Sequence, residues 1–145
     1  IGFLKGTLDE KIAPYILPLK DAIDLALGGS RSSYEYLKQN GDKLEIEPLQ
    51  YIRGRSMPNV FFIVDEAQNL TRKQVKAIIT RMGEGSKVVL LGDIDSNQID
   101  NIYVNSKTNG LSQTIEAFKN SKIAAHIELV DGVRSQLASE CAERL

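Results

Sequence analysis

The stretch VFFIVDEAQNL, residues Val60–Leu70, decides how the chain folds. A continuous apolar run, β-branched or aromatic throughout, ends abruptly on two acids, Asp65 and Glu66. Strands buried on both faces have this composition, as in a parallel sheet covered by helices. A second run of the same kind, KVVLLGD at Lys87–Asp93, also ends on an acid. Between them the start of a helix is clearly signalled. Thr71 stands at the N-cap, Gln74 completes a capping box, and Leu70 and Val75 are spaced for a hydrophobic staple. Val75, Ile78, Ile79 and Met82 form its apolar stripe, and Gly83 marks its expected stop.

Outward from this unit, the pattern continues to alternate. TLDE at Thr7–Glu10 has capping-box form, and the helical spacing of Ile16, Leu19, Ile23 and Leu27 follows it. Pro14 and Pro18 are expected to kink or split that helix, and Gly28-Gly29 to end it. SRSSYEYLKQNG reads as a short polar helix, and KLEIEPLQYIRGR opens as a short or edge strand that breaks at Pro48. Beyond Asp93, NGLSQTIEAFKN reads as an amphipathic helix, KIAAHIELV (Lys122–Val130) as a third strand, and SQLASECAERL as a last helix. Strands alternating with helices predict a three-layer α/β fold with a mostly parallel sheet, in one domain over residues 1–145.

The chain has 145 residues, 42% hydrophobic and 26% charged, with a formal net charge of −1. Bulk charge therefore argues neither for nor against nucleic acid, and leaves room for a local basic patch. One cysteine, Cys141, excludes an internal disulfide, and a reducing, cytoplasmic setting is the default expectation. No apolar run approaches the roughly 18 residues of a membrane span. The chain begins at Ile1 rather than Met, which suggests a piece of a longer protein.

In open parallel sheets, ligands bind beyond the carboxyl ends of the strands. Asp65, Glu66 and Asp93 all stand there. Crowded carboxylates repel one another, so such a place wants a cation or a proton. Mg²⁺ with phosphate oxygens suits it, because Mg²⁺ takes one or two carboxylates and keeps its waters. In nucleotidases a strand-end Asp holds the Mg²⁺ shell, and an adjacent acid can take a proton from the attacking water. On this reading Asp65 is the metal-shell residue and Glu66 the general base. Gln98, in GDIDSNQID, carries an amide that can donate to a phosphate oxygen and accept from water. The competing account is that Asp65 and Glu66 merely precede a helix, where the dipole favours anions. A phosphate-binding loop, G-x-x-x-x-G-K-[ST], is absent from the sequence. GEGSK at Gly83–Lys87 has similar residues in the wrong order, between a helix and a strand, and reads as a helix end and turn.

Nearly the whole chain resembles the PhoH family, P-loop ATPases related to superfamily 1 helicases. IRGRS (Ile52–Ser56) followed by DEAQN (Asp65–Asn69) is the strongest signature, with AIITRMGEGSKVVLLGD, QIDN, NGLSQTIEAF and GVRSQLASECAERL adding to it. The resemblance implies a RecA-like core bound to ATP and Mg²⁺, with its Walker A loop upstream of the segment matching Ile1, so that this chain is incomplete at its N-terminus. It makes IVDEAQ the Walker B motif and matches Gln68 to a helicase-like amide; Gln68 and Asp93 join the expected nucleotide-sensing set. The chain departs from the family in IDSN (Ile94–Asn97), two residues longer than in relatives, which leaves Gln98, Asn97 or Asp95 to fill the sensor position.

Some family members are described as RNA helicases, and the family name refers to phosphate starvation. Locally, Arg53 and Arg55 beside Tyr51 could hold phosphates while the tyrosine stacks on a base of single-stranded RNA, or an arginine of the pair could face ATP. A solvated turn explains the same residues. Arg134, in GVRS, is placed to reach a γ-phosphate of its own or a neighbouring subunit in a homo-oligomeric ring; an ordinary surface arginine is the alternative. Arg81 suits the C-terminal end of its helix and has no functional reading. One Cys and one His make no zinc site, and a serine triad lacks support. His126 reads as a strand residue and Cys141 as core. The function expected is Mg²⁺-dependent ATP hydrolysis in the intact protein, with the isolated chain inactive. The other class to weigh is a non-enzymatic nucleic-acid-binding or oligomerisation module.

Overall fold

The computed structural model describes residues 8–28, 33–39, 44–46, 48–52, 54–130 and 135–144. The chain divides into two compact units, Ile1–Pro48 and Leu49–Leu145. Thr7, Gly29, Arg53 and Arg134 lie outside the described residues.

In the first unit, helix α1 spans Leu8–Ala26 and α2 spans Ser33–Gln39. Of the kink or split expected at the prolines, the split does not occur: α1 runs through both Pro14 and Pro18 as one helix. Each proline deletes one backbone donor, and the four-residue spacing puts both losses on the same side of the helix. Buried Asp24 accepts the backbone N–H of Tyr34 at 2.9 Å, satisfying a donor at the start of α2 that no helical carbonyl can reach. Lys20 lies 3.4 Å from Glu35 and over the Tyr34 ring. The strand expected within KLEIEP does not form among the described residues: 44–46 carry no strand, and a 3-10 turn follows at Leu49–Tyr51.

The second unit holds the expected βαβ core. β1 is Phe61–Val64 and β2 is Lys87–Leu90, paired in parallel with Phe61 opposite Lys87 and Val64 opposite Leu90. Ser86 stitches the entry to the sheet: its hydroxyl donates to the Met57 carbonyl (2.7 Å) and accepts the Val60 N–H (3.2 Å). GEGSK forms a turn at Glu84–Gly85 that leads into β2, as read from its sequence, but the helix end expected there lies upstream of it. β1 is not buried on both faces. Phe62 and Val64 are half-buried, whereas Phe61 and Ile63 are 65% and 54% exposed. The sheet has two strands among the described residues, and one face of β1 stays open.

α3 (Arg72–Ile79) crosses from β1 to β2. Its capping box is complete: Thr71 Oγ1 accepts the Gln74 N–H at 3.3 Å, and Gln74 Oε1 accepts the Thr71 N–H at 2.8 Å. The helix ends at Thr80, a turn before the expected stop at Gly83. Val75 and Ile78 of its stripe are 1% exposed and form the core with Ala67 and Leu111. Replacing Thr71 by Ala removes the hydroxyl that accepts the Gln74 N–H, while the backbone N–H of residue 71 keeps its bond to the Gln74 side chain. The replacement is expected to lower stability by about 1 kcal/mol, read as a fall in the urea midpoint with an unchanged slope.

α4 (Gly110–Phe118) packs against α3, and its N-cap Asn109 is fully buried. Asn109 Oδ1 accepts the Ser112 N–H, while its Nδ2 donates to the carbonyls of Asn105 and Ser106 and to Ser112 Oγ. α5 spans Gln136–Arg144. The third strand expected at Lys122–Val130 does not form among the described residues. Ile123, Ile127, Leu129 and Val130 are 80–90% exposed. His126 is therefore an exposed non-strand residue, and Cys141 is exposed rather than core.

Candidate nucleotide site at the strand ends

The last residues of β1 and β2 lie side by side, and the ladder extends past both. The Leu91 N–H donates to the Val64 carbonyl and the Ala67 N–H to the Leu91 carbonyl, each at 2.8 Å. Asp65 and Glu66 leave β1 where Asp93 leaves β2, so the two strands, whose adjacency the sequence alone left open, are neighbours. All three acids are exposed.

Between the ladder bonds the backbone turns sharply at Glu66, which adopts a left-handed conformation (φ 52°, ψ 38°). A non-glycine residue there is strained by about 1 kcal/mol or more, and such strain concentrates where a structure must aim a side chain. The turn is held on both sides. Asp65 Oδ1 accepts the Glu66 N–H at 3.0 Å, and a short 3-10 turn at Ala67–Asn69 carries the chain inward. Ala67 and Gln68 are buried as a result, at 0% and 1% exposure.

Gln68 is the centre of the site. Its Oε1 accepts the Asp93 N–H at 3.2 Å. Because that N–H can only donate, the amide oxygen must face it, and the amide nitrogen then faces two acceptors. Nε2 donates to Glu66 Oε2 at 2.6 Å and to the Gln98 carbonyl at 3.0 Å. Both hydrogens of the amide are thereby used. Close approach is permitted by Gly92, where a Cβ would run into Gln68 Oε1.

The segment after β2 is exposed from Leu91 to Gln98 and is held through side-chain amides. Asn69 Oδ1 accepts the N–H groups of Asp100 (2.7 Å) and Asn101 (3.2 Å), and Asn101 Nδ2 returns a bond to the Asn69 carbonyl (2.8 Å). Residues Ile94–Asn97 lie between Asp93 and Gln98 as a bulge with turns of its own. Asp93 Oδ1 accepts the Asp95 N–H, Asp95 Oδ1 accepts the Asn97 N–H, and Ser96–Gln98 forms a 3-10 turn. Gln98 meets Gln68 through its backbone carbonyl, and its side chain is exposed.

The structure thus joins Glu66, Gln68, Asp93 and Gln98, with Asp65 bonded to its neighbour. Arg55 is exposed on the turn after Ile52, and Arg53 and Arg134 lie outside the described residues. Asn69 and Asn101 were not foreseen as site residues. Their only signal was their presence at the ends of the DEAQN and QIDN motifs. Among the described residues no three acids, histidines or cysteines converge as a ready-made metal cage. Asp65 keeps one carboxylate oxygen without a hydrogen-bond partner among the described residues. One available carboxylate beside open solvent fits Mg²⁺, which binds through few protein ligands and retains water.

The chain matches the family model described as PhoH-like protein over residues 1–144. It belongs to the PhoH-like family. It is 42% identical over 146 residues to Protein PhoH2 of Bacillus subtilis, a match covering all of this chain and 33% of that protein. It is 40% identical to a PhoH-like protein of the same organism, over 99% of this chain and 43% of the relative. Protein PhoH of Escherichia coli K12 is 37% identical, over 94% and 38%. The chain therefore spans about a third to two-fifths of the length of the PhoH relatives it matches. PhoH-family membership implies a P-loop fold and nucleotide binding. Among the described residues no helix is long and apolar enough to cross a membrane.

Proposed function

We propose that this chain supplies the metal- and water-handling part of an Mg²⁺-dependent ATPase, with the phosphate-binding loop contributed from upstream. The observation that carries the reading is the strained Glu66 turn, fixed by hydrogen bonds where the ends of two parallel strands meet. Asp65 would hold the Mg²⁺ shell through its available oxygen. When bound, the ion supplies positive charge to the phosphate oxygens of the substrate. Glu66 accepts a proton from the attacking water, and the exposed amide of Gln98 stands in the loop beside it, able to orient water or a phosphate oxygen.

The test is phosphate release from ATP by the protein extended upstream to include that loop, titrated with Mg²⁺. Asp65→Asn is expected to lower turnover at least tenfold and to raise the Mg²⁺ concentration needed for half-maximal rate. Unchanged Mg²⁺ dependence would remove Asp65 from the metal shell.

A second reading rests on the exposed Tyr51 (58%) and the exposed Arg55 close behind it in the chain. An aromatic face near an arginine suits single-stranded RNA. In that role RNA affinity depends on Arg55 and is indifferent to Asp65.

A further inference from the structure

We propose that Gln68 is a positioning residue that couples the Glu66 carboxylate to the segment following β2. The inference rests on the reading of Glu66 as the water-activating base and extends it. A residue that touched nucleotide directly would need an exposed polar end. Gln68 is 1% exposed, and both of its amide hydrogens are taken by Glu66 and Gln98 while its oxygen is occupied by Asp93. It therefore senses the site only through its neighbours.

The three partners come from three different positions in the chain, and the amide cannot satisfy one independently of the others. Turning Gln68 to release Glu66 would place its nitrogen toward the Asp93 N–H, two donors face to face in a buried space. The Glu66 carboxylate thus stays aimed only while Asp93 and Gln98 keep their places. A shift of the exposed Asp93–Gln98 segment frees Glu66 from its 2.6 Å bond and lets its strained backbone relax. Gly92, with no room for a side chain against Gln68, keeps the segment close enough for this coupling.

Amide hydrogen exchange in the 145-residue chain tests the linkage without ATP. The Asp93 N–H, whose bond is to Gln68, is the reporter; the Gly110 N–H, bonded to the Leu70 carbonyl, is the control. Glu66 is exposed, so Glu66→Ala leaves the core untouched, and it is expected to speed Asp93 exchange about fivefold, the loss of one ordinary hydrogen bond. Glu66→Gln keeps an acceptor oxygen for Gln68 and is expected to leave Asp93 exchange as in the wild type. Gln68→Met should match or exceed Glu66→Ala. Unchanged Asp93 exchange in Glu66→Ala overturns the coupling, as does an equal acceleration at Gly110, which would report general loosening. Failure of the base assignment reads out separately: Glu66→Gln with full ATP turnover sinks that assignment whatever the exchange pattern.

Discussion

Glu66→Gln is expected to reduce ATP turnover by about 10²–10⁴-fold in the protein that includes its phosphate-binding loop, the usual contribution of a positioned general base. Nucleotide affinity should be retained. The structure explains why this substitution separates the two quantities. The amide that replaces the carboxylate keeps an oxygen for the Gln68 Nε2 donor, so the turn, the Gln68 bonds to Asp93 and Gln98, and the shape of the site persist. What is lost is basicity. Phosphate release and titration with a fluorescent nucleotide measure the two separately. Equal turnover in mutant and wild type would leave the strained turn without a catalytic purpose and shift weight to the reading of Tyr51 and Arg55 as a nucleic-acid contact. Loss of binding together with turnover would assign Glu66 to holding nucleotide rather than activating water.

Gly110→Ala is expected to cause the largest loss of stability, about 3 kcal/mol, enough to unfold a marginal chain. Gly110 opens α4 where the helix start lies against the end of the DEAQN turn, and its N–H donates to the Leu70 carbonyl at 2.6 Å. A Cβ would meet the Thr71 carbonyl oxygen at 2.8 Å, the Leu70 carbonyl oxygen at 2.9 Å and the Val75 side chain closer still. The valine can be shortened, but the carbonyls cannot move without releasing the Gly110 and Val75 N–H groups bonded to them. Urea unfolding of Gly110→Ala, alone and with Val75→Ala, distinguishes these contributions. Full restoration by the second change would place the whole effect in the side chain, contrary to this account.

The elements legible from sequence were those whose signals are local. The apolar runs of β1 and β2, the Thr71–Gln74 box and the Asn109-Gly110 helix start each carry their own evidence within a few residues. Failures came where the deciding partner lies elsewhere. Lys122–Val130 has strand composition, but a strand exists only beside another, and none accompanies it among the described residues. β1 likewise reads as doubly buried, yet burial of Phe61 and Ile63 depends on a layer its sequence cannot supply. In α1 the reverse holds: two local helix-breaking signals are outweighed over a 19-residue helix. At the site, the acids were visible because their side chains carry the chemistry. The contact made by Gln98 was not, because it uses a backbone carbonyl that every residue possesses. Gln68 was recognisable as an amide, but the sequence did not say that its partners are Glu66, Asp93 and Gln98 at once.

The amide clasps on either side of the Ile94–Asn97 bulge bear on how this loop can vary in length. With Asp93 held by Gln68 before it and Gln98, Asp100 and Asn101 held after it, the ends of the intervening segment are fixed by bonds that do not involve its own side chains. Lengthening a closed loop of this size by two residues costs only about 0.3 kcal/mol of closure entropy. Insertions and deletions can therefore accumulate between the clasps almost without thermodynamic penalty, leaving the Glu66 carboxylate where it was. The bulge is the part of the strand-end site in which relatives can diverge in reach and contacts while the chemistry beneath it stays the same.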